Sequence, residues 1–407
     1  MKITIIGGGL CGLYIAYLLK KVNIDYEIYE KSNRPGDNLK NIKIFGKDTS
    51  CGNRFILPYH LNMINLLNTL KIKYVTVSGK KLLSLTNLDE KTFNNILNKI
   101  LNTYKKDLPT NIPAIVYIKS ILSDDEYAIF KENLFIEQFL KNEISDFMKY
   151  LFHDLKLSNK VMCDNNKDNC VQNNYIKIPE IEGTNAIINK LARYVQEKLN
   201  LNHNVQEITY MPITNSYLLL INDKLVQADR LIIATNISIK YITLNIPNVI
   251  KNNLNYIKPI KIIKLYTLHN KPIELKKDRV IQTQSIITNI MIHDSNILES
   301  TFIANSSNNS LLINKNRKEV IQILNKLFEN ITGIKFPKII DYKFCKYNYG
   351  AHYNTKIIKT NFWNSHNLVF AGEFVHPYHG WMEGSVMSAL DTYKIVTKDL
   401  FIDKLKR

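Results

Sequence analysis

The chain has 407 residues, 45% hydrophobic and 22% charged, a globular balance that excludes disorder of the whole chain. At about 100–200 residues per domain, the length predicts two or three domains. There are 54 basic and 36 acidic residues, a net charge of +18.

That charge invites a nucleic-acid or membrane-surface reading. Only seven of the basic residues are arginine, the better phosphate fork, and 47 are lysine. Lysine, asparagine and isoleucine share A/T-rich codons, so genome composition is the weightier source, and no nucleic-acid partner is expected. The five cysteines, at 11, 51, 163, 170 and 345, form no Cys-x-x-Cys and are odd in number. Free thiols in a reducing compartment are expected. Three glycines interrupt the apolar start, so it does not read as a secretory signal. No apolar run approaches the roughly 18 residues of a membrane span. A soluble, cytoplasmic protein is the expectation.

In chain order, residues 2–6 (KITII) read as a buried strand that stops at glycine, 10–20 as a helix and 24–30 as a second strand. Residues 61–71 have helical spacing. Polar helices are expected around 92–96 and 143–152, with an Asn/Asp-rich loop at 163–174. That loop lacks the glycine and terminal glutamate of a calcium loop, so no metal is expected. An amphipathic helix spans 186–199. Strands follow at 205–208, 216–221, 230–235 and 256–268, then a helix at 320–328. A strand at 368–371 leads through a glycine turn into a last helix at 383–396.

Gly7, Gly9 and Gly12 form G-x-G-x-x-G between the first strand and the first helix. Gly7 permits a tight turn, Gly9 lets backbone approach a pyrophosphate, and Gly12 lets helix and strand pack closely. Leu10 and Cys11 complete a helix N-terminus whose free N–H groups suit phosphate. Glu30 ends the second strand, 18 residues after Gly12, where a carboxylate would accept ribose hydroxyls. An acid there favours FAD or NAD over NADP. Near the C-terminus, Ala371-Gly372-Glu373 ends a strand, and Gly380-Trp381-Met382-Glu383-Gly384 opens a helix. This is a second helix N-terminus aimed at a ligand, with a large aromatic face beside it.

With these segments together the chain resembles the FAD-dependent amine oxidase superfamily, nearest its monoamine oxidase and L-amino-acid oxidase branch. Further likenesses are Glu30-Lys31 through Arg34 and Gly36 (the diphosphate segment), Cys51 to His60, Gly183-Thr184, Val205 (the adenine strand) and Asp229 to Ala234. Two positions depart from the pattern: Asp37 replaces a glycine and Asn38 an arginine, leaving Arg34 as the remaining cation.

The resemblance implies an α/β fold: a Rossmann-like FAD domain from 1–75, 176–245 and 355–407, interleaved with a mixed α+β substrate domain from 76–175 and 246–354. It implies oxidation of an amine or L-amino acid by hydride transfer to flavin, giving imine and hydrogen peroxide with oxygen as acceptor. Trp381 and Tyr353 would be two aromatic walls, although Tyr353 also reads as a packing tyrosine. A lysine near the flavin would be Lys264, with Lys261 the alternative. An amino-acid carboxylate asks for an arginine, and Arg54 lies one residue from the matching position. Where monoamine oxidases bond flavin through cysteine, this chain has His352, so noncovalent FAD is expected, with a histidyl linkage the less favoured alternative. The rival reading is a divergent or non-catalytic flavoprotein of the same fold.

Overall fold

The computed structural model describes residues 2–52, 55–78, 90–132, 137–148, 151, 174–178, 183–236, 239, 242–274, 280–282, 287–304, 316–332, 335–355, 364–376 and 378–405. Arg54, Cys163, Cys170 and the rest of the Asn/Asp-rich stretch to 173 lie outside them.

The first strand, β1 (Ile3–Ile6), is buried at all four positions. It can be apolar throughout because it lies between two parallel neighbours with both faces covered. Ile3 pairs with Tyr26 of β2 (Tyr26–Tyr29) on one side and with Arg230 of strand Arg230–Ile233 on the other. The sheet runs Asn364–Ser365, Leu368–Phe370, Arg230–Ile233, β1, β2, Leu199–Asn200. Its strands are parallel except at the Asn364–Ser365 edge. Helix α1 (Leu10–Lys21), helix Asn185–Val195 and helix Met382–Leu405 share a core with one face of this sheet. A four-stranded sheet built around Val205–Met211 and Ser216–Ile221 covers the other face.

A five-stranded antiparallel sheet has Ile257–His269 next to the long edge strand Ile339–Asn354. Alternation splits its residues between two cores. Leu265, Leu298 and Ile290 pack on helix Arg317–Thr332. Tyr266 and Cys345 face the hairpin of Lys40–Ile44 and Lys47–Cys51 through Ile42, Ile44 and Phe45. Helices Glu90–Asp107, Ala114–Ile121 and Asp124–Glu132 form a further core, which also takes in Ile260, Ala351 and Trp381.

Three elements depart from the sequence expectation. The helix expected to Leu199 stops at Val195, and Leu199–Asn200 pairs with β2 as an edge strand. The last helix continues to Leu405. Strand Ile339–Asn354 had no expected counterpart, because its alternation is masked by Lys, Asn and Tyr on the apolar positions. Among the described residues, no helix is long and apolar enough to cross a membrane.

Candidate active site

A cleft of about 700 Å³, counting space open to solvent at its mouth, runs from the start of α1 to the start of helix Met382–Leu405. At one end Gly7 has φ +108°, and a Cβ there would lie 2.7 Å from the Ala234 carbonyl oxygen. Gly9 caps α1 with extended backbone and no side-chain cap. The first-turn N–H groups of α1 are therefore left for a ligand. The Gly36 N–H donates to the Gly8 carbonyl, 2.8 Å, joining the two glycine loops. Gly9, Leu10, Cys11 and Gly36 all line the cleft.

Glu30 is buried, and its carboxylate accepts from the Gly8 N–H at 2.7 Å and the Ser32 N–H at 2.9 Å. Each oxygen keeps a lone pair for ribose hydroxyls. Val205 opens its strand near this end, where His203 N–H donates to the Glu30 carbonyl. Glu30, Val205 and the exposed Lys31 are not among the cleft-lining residues. Arg34 is turned onto its own loop: it donates to the carbonyls of Pro35 and Asp37 at 3.0 and 2.9 Å.

Asp37 lines the cleft in the left-handed region, φ 41°. Asn236 donates to its carboxylate at 3.4 Å. Burial, then the charge of Glu30, raises its carboxyl above the usual range, against Lys31, Asn236 and Arg34. Asn38 donates to the Tyr349 carbonyl at 3.2 Å, tying this loop to the antiparallel sheet.

At the other end, Gly372 donates to Ser388 Oγ at 2.9 Å, and Gly372, Glu373, Gly380, Trp381 and Met382 line the cleft. Glu383 points away from it, accepting from the Asn62 and Met63 N–H groups at 3.1 and 2.8 Å. It thereby caps helix α2 (Leu61–Thr69). Burial raises its carboxyl, opposed by the bonds from Asn62 and Met63.

Glu373 is held between two histidines. His352 Nδ1 donates to Oε1, the Gly380 N–H donates to Oε2 at 2.9 Å, and His379 Nδ1 lies 3.8 Å from Oε2. Burial opposes ionisation, but His352 and then His379 outweigh it and bring the carboxyl down to about 2. The sequence reading named Glu373 without its two partners. The spacing of His379 before Trp381, and of His352 after Gly350, was the available signal.

The aromatic pair is not assembled as expected. Trp381 is on the cleft, with the His60 ring 5.0 Å away edge-on. Tyr353 packs into the helical core instead, with the Lys141 ammonium 5.9 Å from its ring centre. Tyr349, Gly350 and His352 line the cleft; beyond the register shift that falls between Tyr347 and Ala351, alternation sends Ala351 and Tyr353 to the helical core.

Lys264 also departs from expectation. It is buried but forms an ion pair with the buried Glu299 at 2.9 Å, and it does not line the cleft. Lys261 is exposed on the same strand. Lys264→Met should therefore lower stability by about 3 kcal/mol, because it strips the ammonium from a buried carboxylate. Adding Glu299→Leu should recover most of that loss in denaturant melts. A lysine acting at the cleft would instead lose turnover at unchanged stability.

A family model for NAD(P)-binding Rossmann-like domains matches residues 5–70. No curated protein sequence matches the chain. Among solved structures, a triple mutant of putrescine oxidase aligns over 98% of this chain and 99% of its own, with TM-score 0.74 and 13% identity. Cyclohexylamine oxidase from Brevibacterium oxydans gives the same coverage, TM-score and identity. A CLA-producing fatty acid isomerase from P. acnes covers 97% of this chain and 98% of its own, with TM-score 0.67 and 14% identity. The chain thus has a Rossmann-type dinucleotide-binding domain within the two-domain α/β fold of the putrescine and cyclohexylamine oxidases.

Proposed function

We propose that the chain is a soluble, cytoplasmic FAD-dependent oxidase of a small amine, with oxygen as acceptor and an imine and hydrogen peroxide as products. The observation that carries this is the convergence of two helix starts on one cleft, the Gly9 start without a side chain and the Met382 start with Trp381 beside it. FAD fits the α1 end: a Cβ built on Gly9 would meet no protein atom within 4 Å, so the space beside the helix N-terminus is kept open by glycine. The domain division at 1–75, 176–245 and 355–407 against 76–175 and 246–354 is part of this proposal.

When bound, flavin supplies the two-electron step, taking hydrogen from the carbon that bears nitrogen. The chain supplies placement and electrostatics. The N–H groups at Gly9 to Cys11 hold diphosphate, and Glu30 accepts ribose hydroxyls. The start of helix Met382–Leu405 offers its positive end to negative charge in the cleft. Trp381 gives the amine an aromatic face and, packed on the helical core, keeps water from one side.

Arg54 lies outside the described residues, and the described arginines are engaged elsewhere or exposed. Arg34 bonds its own loop, Arg230 pairs with Asp399, Arg317 pairs with Asp341, and Arg193 is exposed. Among the described residues no arginine lines the cleft. The test is a peroxide assay with FAD-loaded protein over diamines, cyclic amines, aromatic amines and amino acids. Turnover is expected with at least one amine, and Trp381→Ala should raise its KM about tenfold or more. A second reading, a flavoprotein that does not oxidise amines, is supported by Asp37 in the cleft and by Lys264 committed to Glu299. Under it the protein takes up FAD, but no amine bleaches the flavin without oxygen.

A further inference from the structure

His60 is 1% exposed and closes the turn before α2. Its backbone N–H donates to the Leu57 carbonyl at 2.9 Å, and the Leu57 N–H donates to its Nδ1 at 3.2 Å. The two bonds run in opposite directions between the same residues, so turn and imidazole are held together. A backbone N–H only donates, so Nδ1 is the acceptor and the neutral ring carries its proton on Nε2. Three rings stand across this imidazole. Trp381 lies 5.0 Å away between centres at 69°, Tyr59 5.3 Å at 90° and Tyr378 5.6 Å at 82°. Steep pairs at such separations are favoured by the ring quadrupoles, so each holds the angle of the other.

The backbones that carry Trp381 and His60 are tied to each other by Glu383. Its carboxylate accepts from the backbone and side-chain nitrogens of Asn62 at 3.1 and 2.7 Å and from the Met63 N–H at 2.8 Å. The start of helix Met382–Leu405 is thereby fixed on the start of α2. What this tie leaves free is rotation of the indole about its own side-chain bonds, and His60 stands across that rotation. Phenylalanine would fill the same place. Histidine supplies a ring and also an acceptor for Leu57, which sets the angle of that ring.

We propose that His60 is a positioning residue: it fixes the plane of the Trp381 indole on the cleft wall and through it sets how tightly the amine is held. This rests on the oxidase reading, in which Trp381 gives the amine an aromatic face. His60 is not among the residues that line the cleft, so it acts through the indole and not on the substrate. The effect falls on binding. An indole free to turn must be ordered each time an amine binds, and that cost raises KM while leaving the hydrogen-transfer step unchanged.

The experiment follows the anisotropy decay of Trp381 emission in the flavin-free full chain, with its other tryptophan removed by Trp363→Phe. In FAD-loaded protein it also measures KM and kcat for the amine turned over fastest in the peroxide assay. With His60 in place the indole should turn only with the whole protein. His60→Asn removes the ring but keeps an acceptor for Leu57 and a favoured residue at the N-cap of α2. It should add a sub-nanosecond component to the decay and raise KM about 3–10-fold, with kcat within about twofold. His60→Leu, which fills the space without a ring, should do the same, so the test holds even if the asparagine variant folds poorly. His60→Phe restores a ring and should return decay and KM to near wild type, at lower stability because Leu57 loses its acceptor. An unchanged decay and KM in His60→Asn and His60→Leu, or a kcat that falls at unchanged KM, would overturn the proposal and leave the oxidase reading standing. A faster decay in protein that binds FAD but oxidises no amine would sink the oxidase reading and keep the placement of the indole.

Discussion

Asp37→Gly is expected to tighten FAD binding 10–100-fold at neutral pH, read by quenching of flavin fluorescence in flavin-free protein. Two effects act in the same direction. Asp37 faces the cleft on the loop joined to the α1 glycines, where a diphosphate would meet its charge. Unit charges about 4 Å apart near a protein surface interact by roughly 4 kcal/mol, and solvent in an open cleft reduces this to about 1.4–2.8 kcal/mol, or 10–100-fold. The residue also sits at φ 41°, which glycine adopts without a Cβ penalty. Asp37→Asn separates the two, removing the charge and keeping the backbone geometry, and should recover most of the gain. The pH dependence has a definite sign. Burial and the charge of Glu30 raise the Asp37 carboxyl above its ordinary 3.8. Neutral Asp37 tolerates the diphosphate and ionised Asp37 repels it. Wild-type affinity should therefore be highest in acid and fall as pH rises through that raised value, while the glycine variant stays flat. Equal affinity in all three proteins would show that the side chain turns away when the cofactor binds.

Gly9→Ala and Gly12→Ala should fail in different ways. A Cβ on Gly12 would lie 2.1 Å from the Gly7 carbonyl oxygen and 3.2 Å from the Ala234 Cβ. The first contact is with backbone that cannot rotate away, so α1 must move off β1. A loss of about 3 kcal/mol or more is expected in thermal or denaturant melts of the flavin-free protein. Gly9 has φ −76° and ψ −177°, which alanine adopts freely, and a Cβ there meets no protein atom within 4 Å. Gly9→Ala should fold with stability within about 0.5 kcal/mol of wild type. Its methyl group would occupy the space at the helix N-terminus, so FAD affinity should fall 100-fold or more. Normal FAD binding by Gly9→Ala would show that the diphosphate does not sit at this helix start.

The dinucleotide half of the site was legible because its demands are local. Gly7 at φ +108° and Gly12 against Gly7 are needs of a single strand–turn–helix, and Glu30 follows from the length of the next strand. The cleft position of Gly380-Trp381-Met382 was readable because its glycines mark a helix start. The catalytic residues expected from the antiparallel sheet fared differently. Lys264 sits at a position that pattern alone marks as costly for a charge. Nothing near it in the chain reveals Glu299, which lies on the neighbouring strand Ile297–Ala304.

What the sequence alone determined is therefore the βαβ opening, its glycines and the acid that ends it, together with the second glycine-bearing helix start. The +18 charge contributed to none of these. Tertiary structure decided which side chains share the cleft. It turned Tyr353 into the helical core and left His352 on the wall, and it set Glu373 between His352 and His379. It also spent Arg34 on its own loop and tied Glu383 to helix α2. The physical reason is that periodicity and turn chemistry act over a few neighbouring residues, whereas partners are set by strand register and helix packing across the whole chain.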